Sequence, residues 1–204
     1  LDRERGGTGL NFNIGSDFYL YYDNTLTFAG NYRFRDGDNL SKIIYSDYLP
    51  DGSLYRTTNR DDNENESKND IELNLTYEKK FGGNKDHYLR FDSRYEQNKD
   101  IENSDITQSN SLTVDGTQQQ SYNLEFERNQ LYQLDYVYPF SEEGKFETGA
   151  KANLRKVDND YYVKEKVGDE FEFLDGFNNN FVYYENIIAA YVMLGNQIDK
   201  FGWQ

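Results

Sequence analysis

The chain has 204 residues, with 37 Asp and Glu against 22 Lys and Arg, for a formal net charge of −15 at pH 7. That balance excludes nucleic acid as a partner, since a phosphate backbone is bound by clustered cations. The lack of cysteine removes disulfides, thiol nucleophiles and Cys-based metal sites without fixing a redox compartment. Hydrophobic residues reach only 36%, and nearly half of them are rings (19 Tyr, 14 Phe, 1 Trp), so the aliphatic material of a soluble core is scarce.

The N-terminal LDRERGGTG is polar and charged, unlike a signal peptide, and GGTG at 6–9 lacks the lysine and the strand–turn–helix setting of a phosphate loop. Residues 10–22 then alternate, with Leu10, Phe12, Ile14, Phe18, Leu20 and Tyr22 on one side and Asn11, Asn13 and Asp17 on the other. A period of two is what an extended chain gives. NTLTFAGNYRFRDGDN, 24–39, sets Leu26, Phe28, Tyr32 and Phe34 against Thr27, Asn31, Arg33 and Arg35. IIYSDYLPDGSLYR, 43–56, predicts a small hairpin turning at Pro50-Asp51-Gly52.

Residues 70–81 place Ile71, Leu73, Leu75, Tyr77 and Phe81 against Glu72, Asn74, Thr76 and Glu78. In 88–96, Leu89, Phe91 and Tyr95 oppose Arg90, Asp92, Arg94 and Glu96. Residues 122–140 keep one phase from Tyr122 to Phe140, and 145–155 repeat it with Phe146, Ala150, Ala152 and Leu154. IIAAYVML, 187–194, is apolar on both faces and fits helix or strand by periodicity; its place ahead of a short turn predicts strand. DKFGWQ opens a last strand, and the chain reads as an interior piece of a longer protein.

Short turn signals start at Asp23, Gly82, Ser141 and Asp199, separated by 59, 59 and 58 residues. Between them lie the polar stretches 36–69, 98–120 and 156–180, predicted as long loops. These hold 19 Asp and Glu and 8 Lys and Arg, which is −11 of the total −15. About eight strands in four antiparallel hairpins follow, longer than the 5–6 residues usual in globular proteins.

Aromatics gather beside the short turns: Tyr22, then Tyr77 and Phe81, then Tyr138, Phe140 and Phe146, then Phe201 and Trp203. These eight are the expected membrane-interface residues, because an amphipathic ring is most stable with one edge wet. No apolar run approaches the ~20 residues of a membrane helix, which excludes helical spanning only. The expectation is an all-β transmembrane antiparallel barrel in a Gram-negative outer membrane, with short periplasmic turns and long extracellular loops. The whole of 1–204 is expected to form part of that one domain, with no plug domain or signal peptide in the stretch.

NTLTFAGNYRFRDGDN, NDIELNLTYEKKFGGNKDHYLRFDSRYEQN and YENIIAAYVMLGNQIDKFGWQ resemble the large barrel of TonB-dependent receptors. The resemblance implies a 22-stranded barrel, a plug and a TonB-contacting motif supplied by parts outside this sequence. It also implies uptake of a nutrient or chelate without catalysis. Expected partners are the lipid bilayer, TonB and, as a further candidate, a surface lipoprotein; no cofactor is expected. The alternatives are a non-transporting outer-membrane scaffold and a soluble β-rich adhesin or glycan-binding module.

Chemistry is sparse. The one histidine, His87, beside a turn, is expected to be solvent-exposed and gives no basis for a catalytic triad. Carboxylate pairs such as Glu125 and Glu127 read as lumen lining rather than a glycosidase pair. Asp61, Asn63, Asn65, Ser67, Asn69 and Glu72 have the ligand spacing of a calcium loop, but Glu66 stands where that loop needs glycine and no helices flank it. The expectation there is a solvated acidic loop. NNN at 178–180 and QQQ at 118–120 are loop composition.

Overall fold

The alternation becomes one long, single-layered antiparallel meander. The computed structural model describes residues 1–198 and 200–204. Its strands are β1 (Asp2–Tyr19), β2 (Asn24–Tyr48), β3 (Leu54–Phe81), β4 (Asn84–Asn110), β5 (Thr113–Pro139), β6 (Lys145–Val167), β7 (Glu170–Phe173), β8 (Asn179–Ile198) and β9 (Phe201–Trp203). The sheet order is β1-β2-β3-β4-β5-β6-β8-β9, every pair antiparallel, with β7 on the distal end of β6. Among the described residues no helix occurs, and β1 pairs with β2 alone, so the sheet is open.

Register keeps each strand's apolar side on a common face. Phe18, Leu26, Tyr77, Phe91, Leu134, Ala150 and Ala190 are successive partners across seven strands. Their neighbours along the chain form a row that is polar from β1 to β6, Asp17, Thr27, Thr76, Asp92, Gln133 and Lys151, and ends on Ala189 of β8, whose segment is apolar on both faces. A slip of one residue would exchange the two faces, so the pattern itself fixes the pairing.

No second layer covers the apolar face. Among the described residues the buried hydrophobic ones are Ile106, Val137, Val157 and Val163, and no large side chain is fully enclosed. A soluble sandwich would bury its inner rings against an opposing sheet. Here Phe12, Phe18, Leu134 and Ile188 lie exposed, Ile188 to 80%. The reading as a soluble adhesin module therefore loses the core it needs.

Local chemistry places the reversals. Gly82 and Gly83, at φ of 62° and 70°, make the two-residue turn joining β3 to β4; positive φ at both central positions is what the tight hairpin demands. At the far end, Leu49 N–H donates to Ser53 O (2.8 Å) and Gly52, at φ 82°, lets the chain close. The Pro50-Asp51-Gly52 hairpin is as expected. The 187–194 segment is strand, and the turns before Asn24, at Gly82-Gly83 and over 140–144 join the pairs anticipated. In the fourth turn, Asp199 lies outside the described residues.

The long loops do not exist as such. Most of 36–69, 98–120 and 156–180 continues the strands, giving β3 28 residues and β4 and β5 27 each. At about 3.3 Å per residue, β3 is about 90 Å long. DDNENESKND has little strand propensity, yet it is strand because β2 and β4 saturate its backbone on both sides. The connections are brief: 49–53, Ser111-Leu112, Gly168-Asp169 and 174–178. β1 likewise runs back through GGTG to Asp2 and stops at Tyr19, so Leu20 and Tyr22 belong to the turn.

Candidate functional site

The half of the sheet next to the short turns carries the site, which is a two-faced wall. Its polar face is held by bonds between neighbouring strands. Thr27 Oγ1 donates to Asp17 (2.6 Å), Thr76 Oγ1 to Asp92 (2.6 Å) and Asn31 Nδ2 to Asn11 (2.8 Å). Glu72 and Glu96 stand directly opposite, a repulsive pairing relieved by Arg94, which reaches Glu96 at 2.6 Å and Glu72 at 3.3 Å. Farther round, Arg155 joins Glu127 (2.5 Å) to Glu185 (3.9 Å). Tyr191 lies across Gly149 and donates to Asp135 (2.9 Å). Glu127 is thus tied to Arg155, and Glu125 lies exposed one pleat away on the same face.

The apolar face over the same residues holds no charge. Three successive rows run from Phe18 to Ala190, from Ser16 through Phe28, Leu75 and Tyr132 to Ile188, and from Ile14 through Leu73, Tyr95 and Leu154 to Asn186. None contains Asp, Glu, Lys or Arg. Outward charge begins with Lys79 toward the short turns and with Arg128 and Lys156 in the other direction. Lys79 to Ile71 is eight residues, about 27 Å of strand. Tilted 35–45°, that is an apolar band of about 20 Å against the roughly 25 Å of outer-membrane barrels.

Of the aromatics singled out from sequence, Phe81, Tyr138 and Phe146 come together. Phe81 stacks on His87 (4.5 Å between centroids), His87 meets Tyr138 edge-on (5.1 Å), and Tyr138 pairs with Phe146. Tyr77 lies within the charge-free band and donates to Asn24 (2.7 Å). Tyr22 is fully exposed at a turn, Phe140 opens the 140–144 turn, and register gives Phe201 and Trp203 the apolar side of β9. His87 is not the exposed residue expected: it is half-buried among these rings, with Nε2 3.0 Å from the Tyr136 hydroxyl. A second aromatic border, formed by Phe12, Tyr32, Phe34, Tyr95, Phe126 and Tyr184, was missed. Its members lie 8 to 15 residues from the nearest short turn, a spacing already present in the sequence.

The calcium-loop spacing has no loop to act on. Asp61 through Asn69 alternate along one face of β3 while Glu72 takes the other, and Asp61 to Glu72 spans about 36 Å of extended chain. Among the described residues, the group that comes nearest to a metal-ligand set is Glu66, Asp100 and Glu102, whose oxygens lie within 4.8 Å of one another. Lys68 Nζ already sits 2.5 Å from Glu66 and 2.7 Å from Asp100. The Asp100 and Glu66 hydrogen bonds hold the Lys68 ammonium well above its usual pKa. At the Pro50 turn, Ser53 donates twice to Asp51, from its hydroxyl (2.6 Å) and its backbone N–H (2.9 Å), and those bonds lower the Asp51 pKa. The arrangement sets an apolar face against a polar one.

Residues 80–204 match the outer membrane protein beta-barrel family, more than half of the sequence. No curated protein matches it. The chain belongs to that family, and the protein resides in the Gram-negative outer membrane.

Proposed function

We propose that this outer-membrane chain is part of the wall of a TonB-dependent uptake barrel, with lipid against its apolar face and an aqueous or plugged lumen against its polar face. In this reading the short turns face the periplasm and the long hairpins stand outside the cell. Phe81, Tyr138, Phe146 and the other turn-proximal rings are the inner interfacial girdle. The carrying observation is the polar, cross-bonded face of β1 to β6 that runs opposite the charge-free band. A wall needs such a face when its interior admits polar cargo or seats a hydrophilic plug. The ligand is a nutrient or chelate, TonB supplies energy through parts outside this sequence, and no reaction is catalysed.

The acidic distal hairpins favour cationic or neutral ligands through their summed potential. Uptake rates that stay constant across ionic strength would count against that preference. The transport reading is tested in cells making the full-length protein. Deleting its gene and deleting the gene for TonB should abolish growth on the same nutrient from a defined panel. Growth lost without the protein but kept without TonB would leave a passive pore. Growth kept in both, with a surface complex lost, would leave a scaffold.

A further inference from the structure

On β4, β5 and β6 the first outward charges beyond the apolar band are all cations: Lys99, Arg128 and Lys156. In a chain of net charge −15 this is opposite to the prevailing sign. Arg128 and Lys156 are direct cross-strand partners, and Lys99 pairs with Phe126, one step along the same face from Arg128. Like charges directly opposite in a sheet destabilise it unless an anion lies between them. Among the described residues one carboxylate answers them: Asp158 accepts from Lys156 at 2.7 Å. Arg128 is exposed, has no carboxylate partner among the described residues, and rests over the Phe126 ring at 4.8 Å. Lys156 is held over Tyr184 at 5.6 Å.

Beneath the two cations a shallow cavity of about 180 Å³ opens on the apolar face, lined by Arg128, Gln130, Leu154, Lys156, Tyr184 and Asn186, and by Arg155, whose guanidinium is engaged by Glu127 and Glu185. It offers aliphatic and aromatic surface on the band side and two cations with two amides on the other. We propose that this cavity binds the phosphate-bearing headgroup of an outer-leaflet lipid, with Arg128 and Lys156 clamping the phosphate and Lys99 adding long-range attraction. The acyl chains then continue down over Leu154 and Ile188. A guanidinium gives fixed, paired donors to a phosphate, and an ammonium beside it gives a movable charge. The site rests on the orientation given above, with the long hairpins outside, but not on transport.

The test uses full-length protein purified in mild detergent and offered lipid A carrying both phosphates, its dephosphorylated form, or inorganic phosphate. Lipid retained per protein is read by mass spectrometry. The parent should retain phosphorylated lipid A, and Arg128→Gln with Lys156→Gln together should lower retention about tenfold. Lys42→Gln, on the distal hairpin, should leave it unchanged. Should the double variant fail to show folded mobility on unboiled gels, Arg128→Gln alone decides, with a loss of about threefold expected. Equal retention by parent and variant, equal retention of the dephosphorylated lipid, or displacement by inorganic phosphate at matching concentration would each overturn the assignment. Uptake is not measured, so this failure and the failure of the transport reading are separate.

Discussion

The two halves of β3 and β4 have the same backbone and different solvents. From Lys80↔Tyr88 to Thr58↔Asn110 the two strands pair in an unbroken ladder. Toward the short turns the outward residues of β3 are Tyr77, Leu75, Leu73 and Ile71; beyond them, in the same phase, come Asn69, Ser67, Asn65 and Asn63. The opposite face of β3 is polar throughout, and that of β4 departs from this at Tyr88 and the buried Ile106. Strand formation here depends on neighbours that saturate the backbone, whereas amphipathy reports what lies against the side chains. An alternating pattern that ends therefore marks the end of an apolar phase, not the end of a strand.

Breaking that contrast should have its largest effect within the charge-free band. Tyr132→Arg puts a cation in the middle row of the band, which costs about 2–4 kcal/mol at a bilayer midplane. Gln120→Arg, outward on the distal half of the same strand and beside Asp105 (3.0 Å from Gln120 Nε2), should stay within about 0.5 kcal/mol. Urea titration of the full-length protein folded into lipid vesicles measures both; equal costs would dissolve the distinction between the halves.

Next in size is Gly149→Ala on the polar face of the band. A Cβ there meets the Asp135 carboxylate, the Tyr191 ring at 2.5 Å and the Leu134 carbonyl at 2.9 Å. Tyr191 must move and lose its bond to Asp135, for a cost of about 1–3 kcal/mol by the same titration. A Gly149→Ala protein as stable as the parent would show that the wall is not packed at this point.

Lys68→Met tests the distal half alone. It leaves Glu66, Asp100 and Glu102 uncompensated, and a half-exposed bridge of this kind is worth up to roughly 1 kcal/mol. Hydrogen exchange should quicken over 60–70 and 98–104 while amides in the band keep their protection. Exchange that quickens in both halves would join them into one cooperative unit.

The smallest effect is one of pH at the distal turn. The folded Asp51 pKa lies below its unfolded value, so its contribution is present above about 3.9 and fades as pH falls through the folded value. Lys68 is shifted the other way: its contribution is full below about 10.4 and is lost only as pH rises through the raised folded value. In acid the 49–53 turn should therefore loosen while the Lys68 ammonium stays charged. Ser53 amide exchange in parent and Asp51→Asn proteins should differ at pH 6 and converge as pH falls through the folded Asp51 value. A difference that does not shrink as pH is lowered would remove the carboxylate from the explanation.

Much of the wall was legible in the residues. Phe28 beside Thr27, or Leu75 beside Thr76, states which side of the strand is apolar, and Gly82-Gly83 states where it turns. The distal strands were not, because Asn63, Glu64, Asn65 and Glu66 have polar side chains on both faces and leave no period to detect. A usable sign was present nonetheless: Pro50-Asp51-Gly52 and Ser111-Leu112 lie close to midway between successive short turns, as hairpin tips must when both strands run the full interval. His87 was misplaced because a lone histidine near a turn looks solvated until Phe81, Tyr136 and Tyr138 close around it.

By itself the sequence determined the two faces, the short turns and the impossibility of a helical span, since each depends on neighbours one or two residues apart. The tertiary structure alone decided how far the strands run and that no second layer covers the rings. It also decided that Arg128 and Lys156 meet beside a cavity. Those outcomes depend on which strand lies beside which, and in what register, between residues tens of positions apart.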